Sequence, residues 1–168
     1  MIASRSVRPS GSPLSARTLV GTEFMAFCPL VQPSKPLTRR ALEDAGVKPE
    51  EINYISPHSS GKQENDRIKN LAIRRVFGEF AGKVPICSVK SMLGHLIAAA
   101  GACELVTCVL ALRDGIIRPT TNCCMPDLLS DLDYVPNKPR KVNVRTCLSN
   151  SFGFGGQNDP LVIRAFSK

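Results

Sequence analysis

VPICSVKSMLGHLIAAAGACELVTCVLALRDG, residues 84–115, is the stretch whose reading decides the fold. It opens on a short apolar run, Val84–Ser88, that reads as a buried strand. The segment Val89–Gly94 follows as a loop carrying Lys90. From about His95 to Arg113 the residues are small or apolar almost all round, which predicts a long helix interior to the domain or to an assembly, with Gly115 just beyond its end. The apolar run Leu96–Leu112 is interrupted by Glu104 and rich in Ala and Gly, too short and too polar for a membrane span. A buried helix, and no membrane, is the expectation.

Upstream, Pro36 opens a short helix to Ala45, with Gly46 beyond it. Ile52–Ile55 reads as a strand halted by Pro57, and His58-Ser59-Ser60-Gly61 as a small-residue loop. A helix from Glu64 to Phe77, stopped by Gly78, places Ile68, Leu71, Ala72 and Val76 on one face and Arg67, Arg74 and Glu79 elsewhere. Downstream, Asp133–Val135 reads as extended, Thr146–Asn150 as a strand entering the loop Ser151–Gly156, and Pro160–Phe166 as a closing strand. This is a layered α/β plan with a mixed sheet and one buried helix. Residues 1–22 read as a disordered leader and 23–168 as one domain without tandem repeats.

Composition fits that plan. The 168 residues are 43% hydrophobic and 21% charged, which suits a globular chain. The net charge of +8 sits mainly at the front: residues 1–40 hold six Lys or Arg against Glu23 alone, so the remaining body is mildly basic. Such a body suits an acidic protein partner or a phosphate-bearing ligand, and without interleaved aromatics no nucleic-acid partner is expected. Seven cysteines without paired Cys-x-x-Cys spacing point to free thiols in a reducing compartment and to no metal site. Arg5, Arg8, Arg17, several Ser and no acid give the first 22 residues a partial likeness to a transit peptide, while an apolar signal core is missing. The expected compartment is the cytoplasm, with organelle import left open.

The chain has two histidines, and each follows a predicted strand. Loops at the carboxyl ends of strands form the ligand crevice of open α/β sheets. Two imidazoles there can donate to one reacting carbonyl, and a helix amino terminus at His95 favours its uncharged form. A histidine near a turn, read singly, is more often a structural hydrogen-bonder, and Lys90 read singly is a solvated surface lysine. Ser151–Gly156, with three glycines and two phenylalanines, is either a set of backbone amides open to a ligand or a tight turn packed by Phe. No phosphate-binding Gly-x-x-x-x-Gly-Lys-Ser/Thr loop occurs.

Taken together, the segments resemble one family. Lys90-Ser91-Met92-Leu93-Gly94-His95 is similar to the Lys-Ser-x-x-Gly-His segment of β-ketoacyl-acyl-carrier-protein synthases. Asn150-Ser151-Phe152-Gly153-Phe154-Gly155-Gly156-Gln157-Asn158 resembles their Gly-Phe-Gly-Gly loop, and Pro119–Asn122 and Asp131–Pro136 match connecting segments in the same order. The likeness runs from about Leu37 to the end. It implies the carboxyl-terminal half of a thiolase-like fold, a homo- or heterodimer, and decarboxylative condensation of malonyl-carrier protein with an acyl thioester in fatty acid or polyketide synthesis. It implies that His58 and His95 polarise the malonyl thioester carbonyl and that Lys90 holds His58 in register. The Phe154 amide would serve an oxyanion hole with its ring as a gate, beside Gly153, Gly155 and Gly156, while Ser60 would touch the phosphopantetheine arm of acyl-carrier protein. No covalently bound cofactor is implied.

The departures are as informative. The family's loop usually reads His-Gly-Thr-x-Thr where this chain has His58-Ser59-Ser60-Gly61-Lys62. Asp66 matches an acidic position, and Lys69 stands where the family commonly has Glu, which would set a cation near Lys90. The nucleophilic cysteine belongs to the family's amino-terminal part; none of the seven here has its context, and Cys28 is a poor substitute. Without a thiolate the covalent acyl step cannot occur. Two expectations follow: a segment of a condensing synthase, inactive without its amino-terminal half, or a non-catalytic subunit that docks carrier protein or pairs with a complete synthase. Either exposes a large apolar face.

Overall fold

The computed structural model describes residues 14–18, 37–61, 63–123, 132–152 and 158–166. Along the chain these form β1 (Leu14–Thr18), α1 (Leu37–Ala45), β2 (Tyr54–Ser56), α2 (Gln63–Phe77), the single-turn α3 (Lys90–Leu93), α4 (Ala100–Asp114), β3 (Ile116–Ile117), β4 (Arg140–Lys141), β5 (Thr146–Phe152) and β6 (Asn158–Ala165). The main sheet runs β1-β6-β5-β2; β5 and β2 are parallel and the other two pairings antiparallel. It is therefore mixed, as expected.

Period-two alternation explains how the sheet is covered. On β2, Tyr54 and Ile55 enter different apolar clusters, as do Cys147 and Leu148 on β5 and Val162 and Ile163 on β6. One cluster gathers Ala41 and Leu42 of α1 with Ile73, Val76 and Phe77 of α2; the other gathers Cys108 and Ala111 of α4. Helices thus cover both faces of one sheet. Helix α4 lies close to β5 at Gly101, where an added Cβ would come into ordinary contact with Ser151 Oγ at 3.4 Å.

Several local readings are corrected. The long helix begins at Ala100, five residues later than His95, because residues 97–99 form a tighter helical turn and Ile97 takes a left-handed φ of 49°. Residues 90–93 are a helical turn instead of a loop. The stretch 84–88 meets β2 only through an isolated parallel bridge at Ile86: Pro85 has no N–H, and the Ile86 N–H goes to the Asp133 carbonyl at 2.7 Å. Within Asp133–Val135, read as extended, Val135 takes a left-handed φ of 43° instead. Leu14–Thr18, inside the stretch read as a disordered leader, is a strand on β6; the rest of residues 1–22 lies outside the described set.

The α2 reading holds for the buried Val76 and the exposed Arg67, Arg74 and Glu79, and fails at two positions. Leu71 and Ala72 face outward, and the buried face is Lys69, Asn70, Ile73, Val76 and Phe77. The apolar pattern misleads because two of the inward positions are polar. Phe77→Ala should therefore cost about 3–5 kcal/mol, whereas Leu71→Ala should stay within about 0.5 kcal/mol. Urea unfolding of the two variants checks this, and the reverse ranking would return α2 to the orientation its apolar pattern suggests.

Candidate active site

His58 and His95 converge. Their ring centroids are 5.3 Å apart and the rings meet edge to face at 73°. His58 follows β2 by two residues, past the buried Pro57, in a half-buried loop. His95 follows α3 and Gly94, whose φ of 73° and ψ of −175° belong to a region that only glycine occupies readily. The turn of chain between Gly94 and α4 thus brings His95 back over His58.

His95 is exposed, and its orientation is set by the backbone: the Ile97 N–H donates to its Nδ1 at 3.1 Å. A ring nitrogen that accepts carries no proton, so the proton of the neutral ring sits on Nε2. This contact stands where a helix amino terminus had been expected, because α4 starts too late to act on His95. His58 is governed differently. Its Nδ1 is buried without a hydrogen-bond partner among the described residues, and the Phe152 ring lies 5.6 Å away. Burial, then the charges of Lys90, His95 and Lys69, lower the His58 pKa from 6.5 to about 4. The ring is uncharged at neutral pH.

Lys90 is a buried cation and not the solvated one that its spacing alone allows. Its ammonium pairs with Glu104 of α4, and the two side chains are 7% and 1% exposed. The other Glu104 oxygen accepts from Ser151 Oγ at the end of β5. A buried carboxylate with both oxygens engaged can persist because each lone-pair set has a donor. The sequence held a signal for this residue, the single acid breaking the apolar helix. Two further bonds fix the Lys90 turn: Thr121 N–H donates to Ser91 Oγ at 3.0 Å, and Thr121 Oγ1–H to the Ser91 carbonyl at 2.9 Å.

Lys69 bonds Ser59 Oγ and Asp66 Oδ1, the latter at 3.0 Å, and so keeps its own counter-ion. Ser60 is half-buried two residues after His58. Phe154, Gly153, Gly155, Gly156, Lys62 and Cys28 lie outside the described residues. Burial pushes the Cys87 thiol up to about 11, and the contact with Cys147 together with burial raises Cys108 well above its usual value, so neither is a thiolate at neutral pH. No three His, Cys, Asp or Glu side chains among the described residues form a metal-binding group, and no described helix is long and apolar enough to cross a membrane.

Around His95 the surface is apolar: Met92, Leu93, Leu96 and Ile97 are all exposed, as is Val106 on α4. Residues 25–124 match the β-ketoacyl synthase carboxyl-terminal domain. The chain belongs to the β-ketoacyl synthase family. This synthase domain is 46% identical over 125 residues to 3-oxoacyl-[acyl-carrier-protein] synthase 2 of Coxiella burnetii, covering 74% of this chain and 30% of that protein. It is 40% identical over 141 residues to nodulation protein E of a Rhizobium species, covering 84% of this chain and 35% of that one. A type II polyketide ketosynthase solved with its acyl-carrier protein matches with a TM-score of 0.74 at 42% identity, over 76% of this chain and 31% of its own. A β-ketoacyl synthase from Burkholderia phymatum matches at 0.75 and 28% identity, over 89% and 36%. The fold is thus the thiolase-like one, and the synthase domain spans about a third of the length of these relatives.

Two outcomes follow from the site's electrostatics. Glu104→Ala leaves the Lys90 charge buried and unpaired and should cost about 3–5 kcal/mol in urea unfolding; a loss under 1 kcal/mol would mean the pair is not buried. His58 in the folded chain takes up its proton near 4, whereas an unfolded imidazole does so near 6.5. Between those values the unfolded state binds more protons, so the His58 contribution to stability is present above 6.5 and is lost as pH falls toward 4. NMR titration of the imidazole checks it; a midpoint near 6.5 would contradict the burial.

Proposed function

We propose that this chain is the carboxyl-terminal portion of a 3-oxoacyl-[acyl-carrier-protein] synthase and supplies the malonyl-decarboxylating half of the condensation in fatty acid or polyketide synthesis. The observation that carries the reading is the pair of imidazoles 5.3 Å apart, one fixed by a backbone N–H and one kept uncharged by its surroundings.

The chemistry follows from where charge develops. Malonate enters as a thioester on the phosphopantetheine arm of acyl-carrier protein, with Ser60 beside the arm. Two neutral N–H donors directed at the thioester oxygen are worth more as that oxygen becomes an enolate than while it is a carbonyl. The bond from the α-carbon to the carboxylate breaks, CO₂ leaves, and its electron pair enters the enolate held by His58 and His95. That carbon then attacks an acyl thioester on a cysteine of the amino-terminal part; the thiolate is expelled and the new carbon–carbon bond stays on carrier protein. Lys90, neutralised by Glu104, anchors the turn that leads to His95 and acts on His58 by its charge. The Phe154 amide, with Gly153, Gly155 and Gly156, serves the second carbonyl.

The apolar surface of Met92, Leu93, Leu96, Ile97 and Val106 is where the amino-terminal part packs, and the assembled synthase pairs as a dimer. The chain alone does not condense, since none of its seven cysteines stands in the sequence setting of the family's nucleophile, and burial keeps the Cys87 and Cys108 thiols protonated. The catalytic reading is preferred over a purely pairing subunit because Lys69 carries its own counter-ion and leaves the Lys90–Glu104 pair undisturbed.

A chimera tests this: the present chain replaces the matching 125 residues of the Coxiella synthase. It should release CO₂ from malonyl-acyl-carrier protein, and His58→Ala should lower that rate about 10²–10³-fold. An equal rate in both chimeras would remove His58 from the reaction and favour the pairing role.

A further inference from the structure

The buried face of α2 presents a lysine to the loop that carries His58. Lys69 is 7% exposed, and its ammonium is fully engaged: it donates to Ser59 Oγ and to Asp66 Oδ1, and it lies 4.9 Å from the centroid of the Tyr134 ring. An ammonium has three protons, so two bonds and a ring face leave little with which to grip a substrate. Tyr134 is itself held, its phenol donating to Asn70 Oδ1 on the same helix. Ser59, the residue after His58, is tied on three sides. Its hydroxyl oxygen accepts from the Lys69 ammonium, its carbonyl accepts from Ser88 Oγ at 3.4 Å, and its N–H donates to the Pro57 carbonyl at 2.9 Å.

We propose that Lys69 is a positioning residue for His58, acting through Ser59 and through its charge, and not a substrate ligand. Ser59 and Lys69 are two of the positions at which this sequence leaves the family pattern, and the structure joins them in one contact. The groups around His58 are Lys69 with Asp66 from α2, Lys90 from α3 with Glu104 of α4 behind it, His95, and Phe152 from β5. Both cations disfavour a third charge at His58, Lys90 more than Lys69. Burial pulls the Lys69 ammonium down from its usual value, and Asp66 opposes that shift, which keeps a charge where Ser59 needs a donor.

The consequence for catalysis rests on the reading of His58 as an active-site group, so the test reads His58 without substrate. The sequence has two histidines, which makes their ring signals separable in the labelled 168-residue chain. In Lys69→Met the His58 titration midpoint should rise by roughly 0.3–0.6 of a pH unit, since Lys69 is the smallest of the influences that lower it, and Lys69→Arg should hold the wild-type midpoint. In Ser59→Ala the Lys69 charge remains but its acceptor is gone, and exchange of the amides at positions 59 and 60 should accelerate about tenfold. An unchanged midpoint in folded Lys69→Met, or unchanged exchange in Ser59→Ala, overturns the proposal. If Lys69→Met does not fold, Ser59→Ala decides it alone. A chimera that fails to decarboxylate while these shifts appear sinks the proposed function and leaves Lys69 as a structural anchor of the His58 loop.

Discussion

A carboxylate buried inside an apolar helix is tolerable only if something meets it, and Glu104 is met from two directions. The Lys90 ammonium comes from the turn before His95, and the Ser151 hydroxyl comes from the end of β5. One side chain therefore ties α4, the single-turn α3 and the sheet together at the point where the two histidines gather. A buried pair of this kind adds little net stability over apolar packing, yet breaking it strands a charge. Its effect is to fix relative position, which is what a site assembled from separate segments requires.

The two histidines are held by unlike means. His95 is exposed and is oriented by one backbone N–H, at a residue, Ile97, whose left-handed φ is unfavourable for a β-branched side chain. His58 is enclosed, and its neutrality comes from burial and nearby cations. Exposure of His95 and of the surrounding Met92, Leu93, Leu96 and Ile97 fits a domain that spans about a third of its relatives' length. Local strain and an uncovered apolar face occur together at this end of the domain.

Much of the architecture could be read from residue order. The α1 bounds, the ends of α2 and α4 at Gly78 and Gly115, and the strands β5 and β6 follow from apolar period and glycine stops. What failed were places where a local rule met a tertiary demand. Val135 and Ile97 adopt backbone angles their residue types avoid, and Pro85 limits a strand-like run to a single bridge. The inward face of α2 carries Lys69 and Asn70, so hydrophobic spacing, correct at Val76, misplaced Leu71 and Ala72.

The sequence by itself determined the family likeness, the layered α/β plan, the placing of His58 just after a strand and the lack of a cysteine in the nucleophile's setting. Only the tertiary structure decided that Lys90 is buried against Glu104, that Lys69 serves Ser59, and that His58 and His95 face each other. Periodicity records which side of an element is apolar. Pairing of charges across 14 residues, or of rings across 37, depends on how helices and sheet close on one another, and no local pattern encodes that distance.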